Sequence, residues 1–277
     1  MLTAWNGMMI SGFARAARVF GSEGHLKTAV RAAHFLEENL RAADGTLLRS
    51  FRDGEAGIAG FAADYAFVIR SYLDLYEAGG GGCWLARAIA LQEELDLQHL
   101  DSDAGVYLSA RAGRHDAILS IAEDYDGAEP SPNSVAALNL LRLGGILYRP
   151  DFIARAERLL HALGGVIRES PFTAPGLVVA FDFASGETSQ LLLAAEGDAP
   201  PGPGHPLREP VDRAFLPYCQ VLPLDAEARE VFAGEASGRA GVGAMIANGA
   251  PAMAYLCRGT TCSAPVHSPE ELAAMLG

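Results

Sequence analysis

Cations are scarce in this sequence. Its 21 Lys and Arg stand against 34 Asp and Glu, a formal net charge of −13 over 277 residues. A surface for nucleic acid or for an anionic membrane needs clustered Lys and Arg to displace counterions, so neither is an expected partner. Long apolar runs are missing as well. No stretch reaches the roughly eighteen uncharged residues needed to span a bilayer, and the start Met1-Leu2-Thr3-Ala4-Trp5 has no basic flank followed by a cleavage site. The expected location is the cytoplasm. Cysteine is sparse too: Cys83, Cys219, Cys257 and Cys262 are too few for a disulfide framework in a chain of this length, so reduced thiols are expected. Cys257 and Cys262 have four residues between them, which is neither the redox spacing of two nor a common zinc spacing, and only His267 stands near as a further ligand. No metal and no cofactor is expected.

The catalytic signatures that a single sequence reveals best are also absent. There is no Gly-x-x-x-x-Gly-Lys-Ser/Thr phosphate loop, no Gly-x-Gly-x-x-Gly after a strand, no His-Glu-x-x-His and no Gly-x-Ser-x-Gly elbow. Nucleotide binding by a standard loop, zinc proteolysis and serine hydrolysis on an elbow have no support. His25, His34, His99 and His161 fall on outer helices or their ends and read as surface or packing residues.

What the sequence does have is helical periodicity, in a composition (50% hydrophobic, 20% charged) that can bury a core. Two kinds of helix alternate. Residues 3–20, 61–76 and 134–147 are apolar on nearly every face and read as buried all round, the first capped by Thr3. Residues 25–41, 84–95 and 151–167 carry one apolar stripe opposite a charged face and read as an outer layer. Short strands are expected at 46–51 and 105–110, with a Gly-rich link over 53–60. Such pairs stack side by side because one pair cannot bury its own apolar face, and the unequal loops favour a ring over a uniform solenoid. Beyond about Pro171 a fourth inner helix starts near Gly176. Strands near 189–195 and 252–257, a helix from Asp225 and a closing helix with the capping box Ser268-Pro269-Glu270-Glu271 then form a small α/β appendage. The expected division is residues 1–185, a partial α/α toroid, and 186–277, an α/β region packed on it.

Parallel inner helices gather their N-termini at one end of such a ring. Trp5 and Asn6 come from the first, Arg49, Arg52, Asp64 and Tyr65 from the second, and Asp124, Asp126, Ser131, Asn133 and Ser134 from the third. Ser131 suits an N-cap, with Pro132 where a missing N–H costs nothing. An aromatic ring among amides, hydroxyls and carboxylates is the chemistry that binds sugars. Asp64, a carboxylate in an apolar stretch, has two readings: an acid or base facing the pit, or a structural partner of Arg52 or of a neighbouring helix end. Asp64 and Asp126 together are the candidate catalytic pair, whose separation decides a glycosidase mechanism. Trp5, Asn6, Arg52, Tyr65, Asp124, Ser131, Asn133 and Ser134 are the candidate substrate-binding residues.

Four ordered motifs then match a known family. Leu2-Thr3-Ala4-Trp5-Asn6-Gly7, Asp64-Tyr65-Ala66-Phe67, Asp126-Gly127-Ala128 through Ala136, and Cys257-Arg258-Gly259 through Val266 resemble the C-terminal half of the spermatogenesis-associated, thioredoxin-domain-containing protein family. The resemblance runs essentially from end to end. It implies a mainly α fold, an (α/α)6 toroid similar to N-acylglucosamine 2-epimerases and six-hairpin glycosidases, present here in part. It also implies that a thioredoxin-like domain and the first toroid repeats precede residue 1 in the family, so that this chain is a truncated product, a split gene or a fragment. The implied partners are a thioredoxin-like domain, or the missing half, and a sugar-like small molecule. The implied activity is that of a sugar-processing enzyme completed by that half, with a non-catalytic scaffold as the alternative. Two departures stand out: Pro132 replaces the family's usual Gly, and no histidine falls on an inner-helix mouth where the epimerases use them as acid and base.

Overall fold

The chain begins with an antiparallel pair, α1 (Thr3–Val19) and α2 (Glu23–Asn39), the latter capped by Ser22, whose hydroxyl accepts from the His25 N–H. The structure, a computed structural model, describes residues 1–111, 120–234, 251–259 and 261–277. A hairpin follows, β1 (Leu48–Arg52) and β2 (Glu55–Ala59). The stretch expected to be a Gly-rich link is therefore a strand. Its turn is Asp53-Gly54 with φ of 53° and 86°, and two successive positive values match the twist of a tight hairpin.

The second pair is α3 (Ala62–Glu77) and α4 (Gly82–His99), followed by the short ladder of β3 (Leu100–Asp101) and β4 (Val106–Tyr107). The third is α5 (Pro132–Leu147) and α6 (Pro150–Ala162). The outer helix expected to reach residue 167 stops early, and α7 (Gly164–Glu169) continues it as a separate turn. A fourth inner helix, α8 (Pro175–Ser185), packs on α5. Neighbouring inner helices α1, α3, α5 and α8 pack in that order, while α2, α4 and α6 back α1, α3 and α5. The result is a two-layered partial α/α toroid.

Approach between inner helices is set by small residues. A Cβ at Gly7 would lie 2.8 Å from the Phe67 carbonyl carbon, so the backbones of α1 and α3 approach this closely only because position 7 has no side chain. α3 and α5 are buried on most sides, as their composition implies. α1 differs from expectation: Trp5, Met9 and Val19 are 58%, 59% and 70% exposed. These residues recur at helical spacing on one face. The physical reason is position, since α1 ends the row and has an inner neighbour on one side only.

The remainder is a four-stranded sheet ordered β6-β5-β7-β8, with β5 (Ser189–Ala194), β6 (Cys219–Leu224), β7 (Met253–Arg258) and β8 (Thr261–Cys262). β5 and β6 are parallel, so a crossover is needed between them, and it contains α9 (Arg208–Arg213). α10 (Ala226–Ala233), capped by Asp225, packs on α4, and α11 (Pro269–Leu276) has the expected capping box. Alternation along β5 sends Leu192 and Ala194 into the toroid's core, while Leu191 and Leu193 join Val211 and Leu272 in a second cluster. The main core thus runs across residue 185 without a break.

Charges lock this sheet region to the C-terminal ends of the inner helices. Arg142 Nη2 lies 2.8 Å from Asp74 Oδ1 and 2.8 Å from Glu77 Oε1. Arg18 bridges Glu77 at 3.3 Å and Asp212 of α9 at 3.0 Å, and the buried Arg208 also binds Asp212. Burial opposes a charge on Asp74, but Arg142 and Arg15, with the Ser11 hydroxyl, outweigh it and hold the carboxyl well below the usual range.

The cysteine expectation is overturned at one pair. Cys257 and Cys262 face each other across β7 and β8, with Cα atoms 4.0 Å apart, and form a disulfide. A spacing of four between them is what a tight hairpin needs to place them in register; Cys83 and Cys219 stay free.

Candidate functional site

The N-terminal ends of α1, α3 and α5 do converge, and a small apolar cluster of Ala4, Ala66, Phe67 and Val135 joins the three helices there. Around it the candidate residues divide into those that hold the frame and those left at the surface.

Asp64 is 1% exposed. Its Oδ2 accepts from the Phe61 N–H at 2.9 Å, closing the start of α3, and from Arg49 Nη1 at 3.2 Å. Its Oδ1 accepts from the Ala4 N–H at 3.1 Å and so caps α1, where Leu2 and not Thr3 is at the cap position. Thr3 instead donates its hydroxyl to the Leu48 carbonyl. Burial pushes the Asp64 pKa up, and these N–H donors and Arg49 pull the other way. The ion pair expected with Arg52 is thus made by Arg49, because Arg52 sits at the exposed hairpin tip beside Asp53, at 3.2 Å.

Asp126 is used in the same manner. Its Oδ1 accepts from the Ser131 N–H at 2.7 Å and the Ser134 hydroxyl at 2.8 Å, and its Oδ2 accepts from the Gly176 N–H at 2.6 Å, at the start of α8. Ser131 is the N-cap of α5, its hydroxyl accepting from the Ser134 N–H at 3.1 Å. Asn133 is fully buried: its amide donates to the Tyr107 and Glu123 carbonyls and accepts from the Tyr107 N–H at 2.8 Å, pinning the loop to β4. Tyr65 points to the outer layer, where its hydroxyl donates to Glu94 at 2.6 Å. Asn6 donates to the Leu2 carbonyl of its own first turn at 2.7 Å. Of the sequence candidates, Trp5, Arg52 and Asp124 are exposed.

Three further residues complete the surface. The Trp5 indole N–H donates to Glu129 Oε2 at 3.1 Å, tying the 124–130 loop to α1. Arg49 lies 4.7 Å from the centre of the Phe61 ring while holding Asp64. Burial and the neighbouring Glu129 push Glu123 up, with Arg49 pulling it down. Glu123 and Glu129 belong to the same Glu-Asp-Tyr-Asp-Gly-Ala-Glu run as Asp124 and Asp126. Residue type alone does not tell which of four nearby carboxylates is spent on a cap. The arrangement offers an aromatic face, a cation and exposed carboxylates, with a rigid frame beneath.

Among the described residues no group of three or more His, Cys, Asp or Glu is placed to hold a metal ion, and no helix is long and apolar enough to cross a membrane.

Comparison with known proteins places the chain. No family model matches it. It is 32% identical over 286 residues to spermatogenesis-associated protein 20 of Homo sapiens, an alignment that takes in 100% of this chain and 36% of that protein. The Rattus norvegicus protein of the same name is 38% identical over 209 residues, covering 72% of this chain and 26% of its own length. The chain therefore spans about a third of the length of these relatives. Among solved structures, the GH76 alpha-mannanase of Bacteroides thetaiotaomicron aligns with a TM-score of 0.52 at 13% identity, over 65% of this chain and 51% of that one, a likeness of fold. The chain belongs to the spermatogenesis-associated protein 20 family.

Proposed function

We propose that the end of the toroid where α1, α3 and α5 begin is a carbohydrate-type ligand site. The observation that carries this reading is Trp5, an indole 58% exposed yet held in place through Glu129 on the facing loop. A fixed, exposed aromatic face next to hydrogen-bonding groups suits the apolar face of a sugar ring and its hydroxyls. Arg49, Glu123 and Glu129 supply the polar contacts. Asp64 and Asp126 set the frame through their caps, and Glu123, which holds its proton to higher pH than an isolated glutamate, is the candidate acid should the site turn over a substrate. The alpha-mannanase with this fold supports the reading by analogy of architecture only.

A second reading is favoured by the exposed row Trp5, Met9 and Val19 on α1: a non-catalytic scaffold that docks a partner such as a thioredoxin-like domain. Calorimetric titration with a panel of neutral mono- and oligosaccharides, and separately with a thioredoxin-like domain, discriminates. Saturable heat from a sugar, lost in Trp5→Ala, supports the ligand site. Heat from the protein partner alone supports the scaffold.

A further inference from the structure

We propose that Cys257 and Cys262 form a reversible dithiol–disulfide site that an attacking thiol enters at Cys262. This rests on the hairpin and not on the sugar-site reading.

The bond lies at a sheet edge. β8 contains two residues, and its ladder to β7 consists of Cys257 opposite Cys262 and Arg258 opposite Thr261. Beyond it the chain stays paired through the Ser263 N–H to the Leu256 carbonyl at 2.9 Å and through the Ala254–Val266 bridge. Breaking the disulfide therefore frees the turn without unzipping the strand. The two sulfurs are not equivalent. Cys257 is fully buried within the main core, whereas Cys262, on the outermost strand, is half-buried. Cys262 packs against the same core but is the one of the pair with solvent exposure, so a thiolate approaches on its side, and in-line displacement at its sulfur expels the Cys257 sulfur as leaving group.

The chemistry balances with a dithiol as reductant. Its thiolate attacks Cys262 Sγ, the Cys257–Cys262 bond breaks, and the Cys257 thiolate takes a proton. The reagent's second thiolate then attacks the mixed disulfide, releasing Cys262 as a thiol and closing the reagent's own disulfide. Two electrons and two protons pass to the protein. The free cysteines are poor competitors: burial and Glu227 push Cys83 up to about 11, and burial raises Cys219.

The state of the bond has a structural consequence. Gly259, inside the turn, accepts from the Tyr148 hydroxyl. Tyr148, Gly259, Gln190 and Gln220 line a cavity of about 590 Å³ between the end of α5 and the sheet. Opening the disulfide loosens one wall of that cavity.

The test uses the full chain equilibrated in glutathione buffers of stepped redox ratio, then acid-quenched, alkylated and mapped by mass spectrometry. Cys257 and Cys262 are expected to gain label together in one two-electron transition, with Cys83 and Cys219 labelled independently of the ratio. In single variants under oxidised glutathione, Cys262 of Cys257→Ser should form the mixed disulfide about tenfold faster than Cys257 of Cys262→Ser. Hydrogen exchange at Arg258, Gly259 and Thr261 should rise on reduction. The proposal is overturned if both cysteines label fully at every ratio, if the bond resists dithiothreitol while the chain is folded, or if Cys257 forms the mixed disulfide faster.

Discussion

The Asp64 carboxylate joins two helices: Oδ1 accepts from the Ala4 N–H at 3.1 Å and Oδ2 from the Phe61 N–H at 2.9 Å, so one side chain caps α1 and α3 together. Asp126 does the same for α5 and α8 through Ser131, Ser134 and Gly176. Asp64→Ala removes two caps and leaves buried donors unpaired, and it should cost about 2–4 kcal/mol. Denaturant unfolding of the variant measures this. A loss below about 0.5 kcal/mol, within what surface substitutions produce, would mean that Asp64 is not a frame residue.

Gly7 stands where α1 meets α3. Gly7→Ala places a methyl 2.8 Å from the Phe67 carbonyl carbon and should destabilise the chain by about 1–3 kcal/mol, as overpacking does. Gly12→Ala, on the open side of the same helix where nothing lies within 4 Å, is the control and should be neutral or slightly stabilising. Equal effects at the two positions would contradict the packing account.

The Arg142–Asp74–Glu77 cluster gives a pH prediction. The Asp74 pKa is lower in the folded chain than its unfolded value of about 3.9, so its stabilising contribution is complete well above that value and is lost as pH falls below it. Unfolding free energy should fall progressively as pH drops below about 5 and go on falling below about pH 3, less steeply in Asp74→Asn. Arg142→Met removes the cation that two buried carboxylates share, leaving Asp74 with Arg15 and Glu77 with Arg18, and should cost about 3 kcal/mol at pH 7. An Arg142→Met chain as stable as the parent would refute the cluster's role.

The face of α1 bearing Trp5, Met9 and Val19 should bind an apolar dye and promote self-association that grows with concentration. Sedimentation velocity and dye fluorescence on the parent and on Met9→Lys/Val19→Lys test this, with both signals expected to fall in the variant. A dispersed parent that binds no dye would show that the face is not adhesive.

Much of this fold was legible in the sequence, because alternating buried and amphipathic periodicities state directly which helices are inner and which outer. Ser131 and Ser268 were legible as caps because their chemistry is local. Three things were not. Exposure of α1 depends on what lies beside it, which composition does not encode. The role of Asp64 and Asp126 depends on partners 60 and 50 residues away, at Ala4 and Gly176. The disulfide depends on the hairpin register that sets Cys257 opposite Cys262. At the candidate site, Trp5 was visible as an aromatic in a polar context. The distinction between capping and free carboxylates in the 123–129 run was not, since it appears only once the loop closes on α5 and α8.

The measurement that bears most directly on the central claim is fluorescence titration of the intact chain with neutral saccharides. The chain has two tryptophans; Trp84, on the outer helix α4, is fully buried against Tyr72 and His34, so a ligand at the helix mouths perturbs Trp5. Trp5 emission should change saturably with at least one saccharide, a response abolished in Trp5→Phe and weakened in Glu129→Gln. A folded chain whose Trp5 emission no saccharide in the panel alters would contradict that claim.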